Sequence, residues 1–107
     1  MPSIFHRIAE VRRRRKRIKE ALYRNETEFE KILSQIHQEY SNEKADIMNE
    51  YVHNILQIGD LDAERAEELT EEAELKCKEL DTLEASKIEE AKRLNERHIE
   101  RILSCYR

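Results

Sequence analysis

The sequence predicts an all-helical fold in which two long amphipathic helices form an antiparallel coiled-coil hairpin with a turn near Gly59. Three observations lead there. Apolar residues recur every eleven positions along the chain. No stretch shows the strict alternation of a strand. The one glycine of the 107 residues sits near the midpoint. One continuous or bent rod-like helix is the alternative, because the apolar phase carries through Gly59 unchanged.

The first helix is expected over about residues 4 to 57. One row of its stripe is Ile18, Phe29, Tyr40 and Tyr51. A second is Val11, Leu22, Leu33, Lys44 and Ile55, and a third is Asn25, Ile36, Ile47 and Ile58. An eleven-residue repeat is three turns at about 3.67 residues each, which gives a straight or slightly right-handed seam. Asn25 interrupts the third row and is a candidate for fixing register, as a buried Asn does in coiled coils. Tyr23, Ile32, Met48, Val52 and Leu56 lie beside the stripe and widen it.

The turn is placed at Gly59 and Asp60. Glycine inside a helix costs about 1 kcal/mol relative to Ala, but it is favoured just past a helix end. Asp60 is the expected N-cap of the second helix, with Asp62 and Glu64 in a first turn where the helix dipole favours acids.

That second helix is expected over about residues 60 to 105. Leu69, Leu80, Ala91 and Ile102 form one row, and Ala66, Cys77, Ile88 and Ile99 another. Leu83 and Leu94 lie beside them. Folding the chain about Ile58 and Gly59 sets Tyr51 opposite Ala66, Tyr40 opposite Cys77, Phe29 opposite Ile88 and Ile18 opposite Ile99. Large then meets small near the turn, which fills a two-helix seam. The whole chain, 1 to 107, reads as a single elongated helical domain.

Charge is segregated along it. Residues 1 to 24 form a basic head with net charge +7, and residues 60 to 84 carry -8, within a chain total of -4. The head contains "RRRRKRIK": Arg12, Arg13, Arg14, Arg15, Lys16 and Arg17, then Ile18 and Lys19. Six consecutive cations cover every side of a helix, and Arg15 falls on the seam. Their mutual repulsion calls for an anionic partner, which makes the run a candidate binding segment. An acidic protein surface fits best. Nucleic acid fits less well, because the chain is acidic as a whole and no aromatic residue interleaves the run. A membrane surface is a further option, since Ile4, Phe5 and Ile8 lie beside the arginines.

Composition argues against chemistry. Charged residues make up 41% and aromatics 6%, with no tryptophan, a profile of exposed helices rather than of a thick core with a pocket. The four histidines form no His/Cys pair with metal-ligand spacing, and "ERHIE" sets His98 apart from Glu96 and Glu100. The acid-rich stretch 62 to 75 lacks a calcium-loop pattern. One glycine precludes a glycine-rich phosphate loop. No enzyme activity, metal or cofactor is therefore expected.

No apolar run approaches the roughly 20 residues of a membrane span. "MPSIFHRIAEV" lacks the apolar core of a secretory signal. Arg-rich and nearly acid-free, the head has some character of a mitochondrial presequence, but the chain is read as uncleaved. Two lone cysteines, Cys77 and Cys105, suit a reducing compartment, cytoplasmic or cytoskeletal, with the nucleus as an alternative.

A hairpin that buries one stripe per helix has little stability to spare. Self-association, or docking onto a larger complex, is therefore expected. In architecture the chain resembles small coiled-coil hairpins such as the export-stalk subunits of flagellar and type III secretion systems. It also resembles short helical proteins that line or decorate ciliary microtubules. That resemblance implies a non-enzymatic structural or assembly subunit, a scaffold whose basic head docks on an acidic surface of a cytoskeletal or ciliary assembly or of a secretion stalk. The alternatives are a nucleic-acid-binding or nuclear adaptor using Arg12 to Arg17, and a peripheral membrane-surface binder.

Overall fold

The computed structural model describes residues Ser3 to Tyr106. Two helices pack against each other as an antiparallel hairpin: α1 (Ile4–Ile58) and α2 (Ala63–Cys105), joined by a short 3-10 turn (Gly59–Leu61) and Asp62. Among the described residues there is no strand.

Capping accounts for where the helices start. The hydroxyl of Ser3 accepts from the His6 N–H at 3.2 Å, and its carbonyl accepts from the Arg7 N–H at 3.1 Å. Asp62 does the same for α2. Its carboxylate accepts from the Arg65 N–H at 3.0 Å, and its carbonyl from the Ala66 N–H at 3.1 Å. Its backbone is extended, with φ -142° and ψ 88°, as a capping residue requires. The cap is therefore Asp62, not Asp60. Asp60 lies inside the 3-10 turn, and α2 begins at Ala63.

Gly59 ends α1 with φ +59°, and among the described residues it alone has positive φ. This left-handed conformation is the usual terminator past a helix end, and glycine enters it without a Cβ penalty. The continuous apolar phase through Gly59 reflects two helices with one repeat, not one unbroken helix.

Contacts along the chain divide into two units. In the turn unit, Ser34–Glu89, the half-buried residues of α1 include Ile36, Tyr40, Lys44, Ile47, Tyr51, Ile55 and Ile58. On α2 they include Ala66, Thr70, Cys77, Leu80, Glu84 and Ile88. Leu69 and Ala73, each 8% exposed, are the buried core among the described residues. The terminal unit joins the residues up to Leu33 with those from Glu90 onward. Its half-buried residues include Ile18, Ala21, Leu22, Asn25, Phe29 and Leu33 on α1, and Ala91, Asn95, Ile99, Ile102 and Tyr106 on α2.

Polar contacts set the register. The Tyr51 hydroxyl lies 2.7 Å from the Thr70 hydroxyl, which itself donates to the Ala66 carbonyl at 2.9 Å. In the terminal unit the Asn25 amide donates to the Asn95 side-chain oxygen at 2.8 Å. Tyr51 thus bonds one helical turn beyond its expected partner Ala66. The connection occupies residues 59 to 62, which moves the fold axis from the Ile58–Gly59 bond toward Asp60 and Leu61.

Substitutions at the turn and in the seam test these roles. A Cβ built on Gly59 meets nothing within 4 Å, so Gly59→Ala adds strain but no clash. It should destabilise the hairpin by about 1 to 2 kcal/mol in urea unfolding, and Gly59→Asn by less, since Asn tolerates this region. Asn25→Ala strands half-buried Asn95 and should cost about 1 kcal/mol in the same assay. The double change Asn25→Leu/Asn95→Leu should recover that loss.

Candidate partner-binding surfaces

The basic run is built on an exposed helical segment. Arg12, Arg13, Arg14, Arg15, Lys16, Arg17 and Lys19 are all exposed, and the continuous seam begins only with half-buried Ile18. Arg15 therefore does not enter the seam, and Val11 stays outside it as well. Among the described residues none of Arg12 to Arg17 forms an ion pair. Arg13 donates from Nε to the Ala9 carbonyl of its own helix at 3.4 Å. Ile4 and Phe5 are among the most exposed apolar residues, with Phe5 at 83%.

Part of the run faces the end of α2. His6, Glu10, Arg13, Arg14 and Arg17 line a polar groove of about 440 Å³ with Cys105 and Tyr106. The last turn of α2 has no basic residue of its own. Its terminal carbonyls carry the negative end of the helix dipole, and three arginines from α1 line the groove beside it. Arg12, Arg15, Lys16 and Lys19 do not line this groove.

A second groove in the terminal unit is larger, about 680 Å³, and more apolar. Half-buried Phe29 and Ile102 form its base, and exposed Ile32 and Leu94 its walls. Arg24, Glu28, His98 and Arg101 stand at the margins.

The acidic stretch of α2 belongs to the turn unit. Lys44 sits at a seam position of α1 and pairs with Asp81, with Glu84 Oε2 3.7 Å away. The Glu84 side chain is only 15% exposed and also accepts from His37 Nδ1 at 3.0 Å, in the tautomer that places the proton there. The Asp81 hydrogen bond raises the Lys44 pKa above the ordinary lysine value. Partial burial opposes the rise, and the charges of Asp81 and Glu84 add to it. Arg65 pairs with Glu68 at 3.0 Å. Glu67, Glu71, Glu72, Glu74 and Glu79 are exposed.

In the sequence, Asn25 and Lys44 stand out as breaks in the stripe, but their partners do not. The signal was present: Ala73, Glu84, Asn95 and Tyr106 are eleven apart and continue one row of α2. A row holding a Glu and an Asn does not register as seam when only apolar residues are counted.

Cys77 is half-buried in the seam and Cys105 exposed, both as free thiols. Among the described residues no group of three or more His, Cys, Asp or Glu side chains is placed to hold a metal ion. Among them, too, no helix is long and apolar enough to cross a membrane. Comparison with family models, with characterised proteins and with solved structures finds no match.

The Lys44 cluster carries a pH signature. Its raised pKa means that the folded chain holds the proton more tightly than the unfolded chain. The stability this contributes is complete at neutral pH and is lost as pH rises past the ordinary lysine range, roughly pH 10.4. The stability difference between the wild type and Lys44→Met in thermal melts should be largest at neutral pH and shrink as pH rises through the lysine range.

Proposed function

We propose that the chain is a non-enzymatic coiled-coil assembly subunit whose basic N-terminal helix docks on an acidic protein surface. A cytoskeletal or ciliary microtubule assembly and a secretion stalk are settings of that kind. The observation that carries the reading is six consecutive exposed cations with no ion pair among the described residues. Like charges crowded on adjacent turns repel, and an anionic partner removes that cost.

The helical hairpin supports the same reading. Its seam holds the arginines on a continuous helix, so they meet a partner without a folding step. Three of them line the groove beside α2. Arg12, Arg15 and Lys16 are available on the remaining faces.

A membrane-surface reading draws on one specific observation, the exposure of Ile4 and Phe5 beside the run. Amphipathic basic helices lie in the interface of anionic bilayers in this way.

The test is co-sedimentation of the full chain with microtubules, whose outer surface is acidic. Vesicles with about 30% phosphatidylserine and a 20-base-pair duplex, roughly the span of six to ten phosphate contacts several times over, serve as competitors. Binding to microtubules should weaken at least about tenfold in Arg12→Glu/Arg15→Glu/Lys16→Glu and fall with salt. Vesicle binding lost in Ile4→Ser/Phe5→Ser, with no microtubule binding, would replace the protein partner by a membrane. Tighter binding to the duplex than to microtubules would replace it by nucleic acid.

A further inference from the structure

In the terminal unit, the stripe that α1 packs against α2 runs on past the end of α2. The Asn25–Asn95 bond sets those two residues opposite each other. Eleven residues further along the chain from Asn95 is Tyr106, and eleven back from Asn25 is Arg14; these two share the polar groove. α2 itself ends at Cys105. Val11, Ile8 and Ile4 therefore lie roughly 5 to 15 Å beyond the level of Tyr106, at 1.5 Å per residue.

Those three residues continue the seam. Ile4, Val11, Ile18 and Asn25 are seven apart, and so are Ile8, Arg15, Leu22 and Phe29. Ile18, Leu22, Asn25 and Phe29 are the half-buried seam of this unit. Apolar residues spaced alternately by three and four form the stripe that packs against one neighbouring helix. Past the end of α2 that stripe is open: Ile4 is 74% exposed, Val11 48% and Ile8 44%.

Both flanks of the open stripe are basic. Arg7 and Arg14 stand one position before Ile8 and Arg15, on one side. Arg12 stands one position after Val11, on the other, and Arg15 continues the stripe itself. Glu10 is the one acid from Ser3 to Arg15, and it lines the groove with Tyr106. Charges in these flanking positions select the partner helix in a coiled coil.

We propose that an acidic amphipathic helix of a partner protein takes up this seam where α2 leaves it. Its apolar residues, spaced by three and four over about three turns, cover Ile4, Ile8 and Val11, and its Asp or Glu side chains face Arg7, Arg12 and Arg15. This rests on the docking role proposed for the basic run, and adds to it the partner's helical form and an apolar contact. The same overhang on a second copy is repelled by like charge. A bilayer fits less well, because Arg15 lies in line with Ile8 and the cations that follow cover every side of the helix.

Two synthetic acidic peptides of about three heptads test it. They share one composition, rich in Leu and Glu. One spaces its Leu by three and four with Glu on the flanks, and the other scatters the same residues. Binding of each to the full chain is read by fluorescence anisotropy at about 100 mM salt, and the mass of the chain by light scattering. The patterned peptide should bind at least about tenfold more tightly than the scattered one. Ile8→Ser/Val11→Ser should erase that difference and leave the helical circular dichroism unchanged, since both side chains are already exposed. Arg7→Glu/Arg12→Glu should weaken the patterned peptide at least about tenfold. Equal binding of the two peptides overturns the proposal and leaves charge docking of the basic run intact. Binding of neither overturns it too, and microtubule co-sedimentation then decides the docking role separately. A preference that survives Ile8→Ser/Val11→Ser places the contact elsewhere and overturns it. So does a wild type heavier than 12.9 kDa that falls to that mass in the same variant, which makes a second copy the occupant.

Discussion

Two helices side by side touch along a single line, and every other feature of this hairpin answers to that constraint. Each helix can bury only the residues of three adjacent rows, and most of those stay half-buried. Leu69 and Ala73 alone among the described residues fall below a tenth of their free exposure. Burial at about 25 cal/mol per Å² therefore acts on partial side chains, while backbone ordering costs about 1 to 2 kcal/mol for every residue. Such a seam leaves a narrow margin, and small local terms decide its geometry.

Polar side chains inside the seam are those local terms. An apolar stripe repeating every eleven residues looks much the same after a slide of three or four residues, so burial alone selects register weakly. The Asn25–Asn95 and Tyr51–Thr70 bonds are each satisfied in one alignment. Any slide strands a half-buried donor or acceptor, at about 1 to 3 kcal/mol. Lys44 with Asp81 and Glu84 adds a third restraint, a weaker one, because its charges keep contact with water. The layers thus trade some burial for a single alignment.

Helix content and the position of the turn were legible in the sequence because each rests on a strong local rule: apolar periodicity, and the one residue free to take positive φ. The alignment was less legible. It depends on how many residues the connection consumes, and Asp60 and Asp62 are equivalent as caps by residue type. The extended backbone of Asp62, after a 3-10 turn, and the bond its carboxylate accepts from the Arg65 N–H separate them. The pairing of Asn25 with Asn95 was hidden for another reason: polar residues in a seam are recognised by their partner, which lies seventy positions away. The basic run was visible at once, and the groove of Ile32 and Leu94 was not, because a groove exists only after two helices are set side by side.

The charge pattern works against the hairpin and so needs a separate cause. A pair of helices stabilised by its own electrostatics would set acids on one against bases on the other. Here the units differ in net charge instead, +7 in the terminal unit and -11 in the turn unit. Exposed like charges cost little each at physiological salt, where the screening length is about 8 Å, so the seam can carry the burden. The same arrangement gives the two units opposite net charge, with the positive excess of the terminal unit resting on the basic run of α1. A net excess of one sign is of little use to the isolated chain. It accelerates encounter with an oppositely charged partner and rejects wrong ones. On the function proposed above, a scaffold whose internal stability is only adequate carries charges suited to an oppositely charged partner.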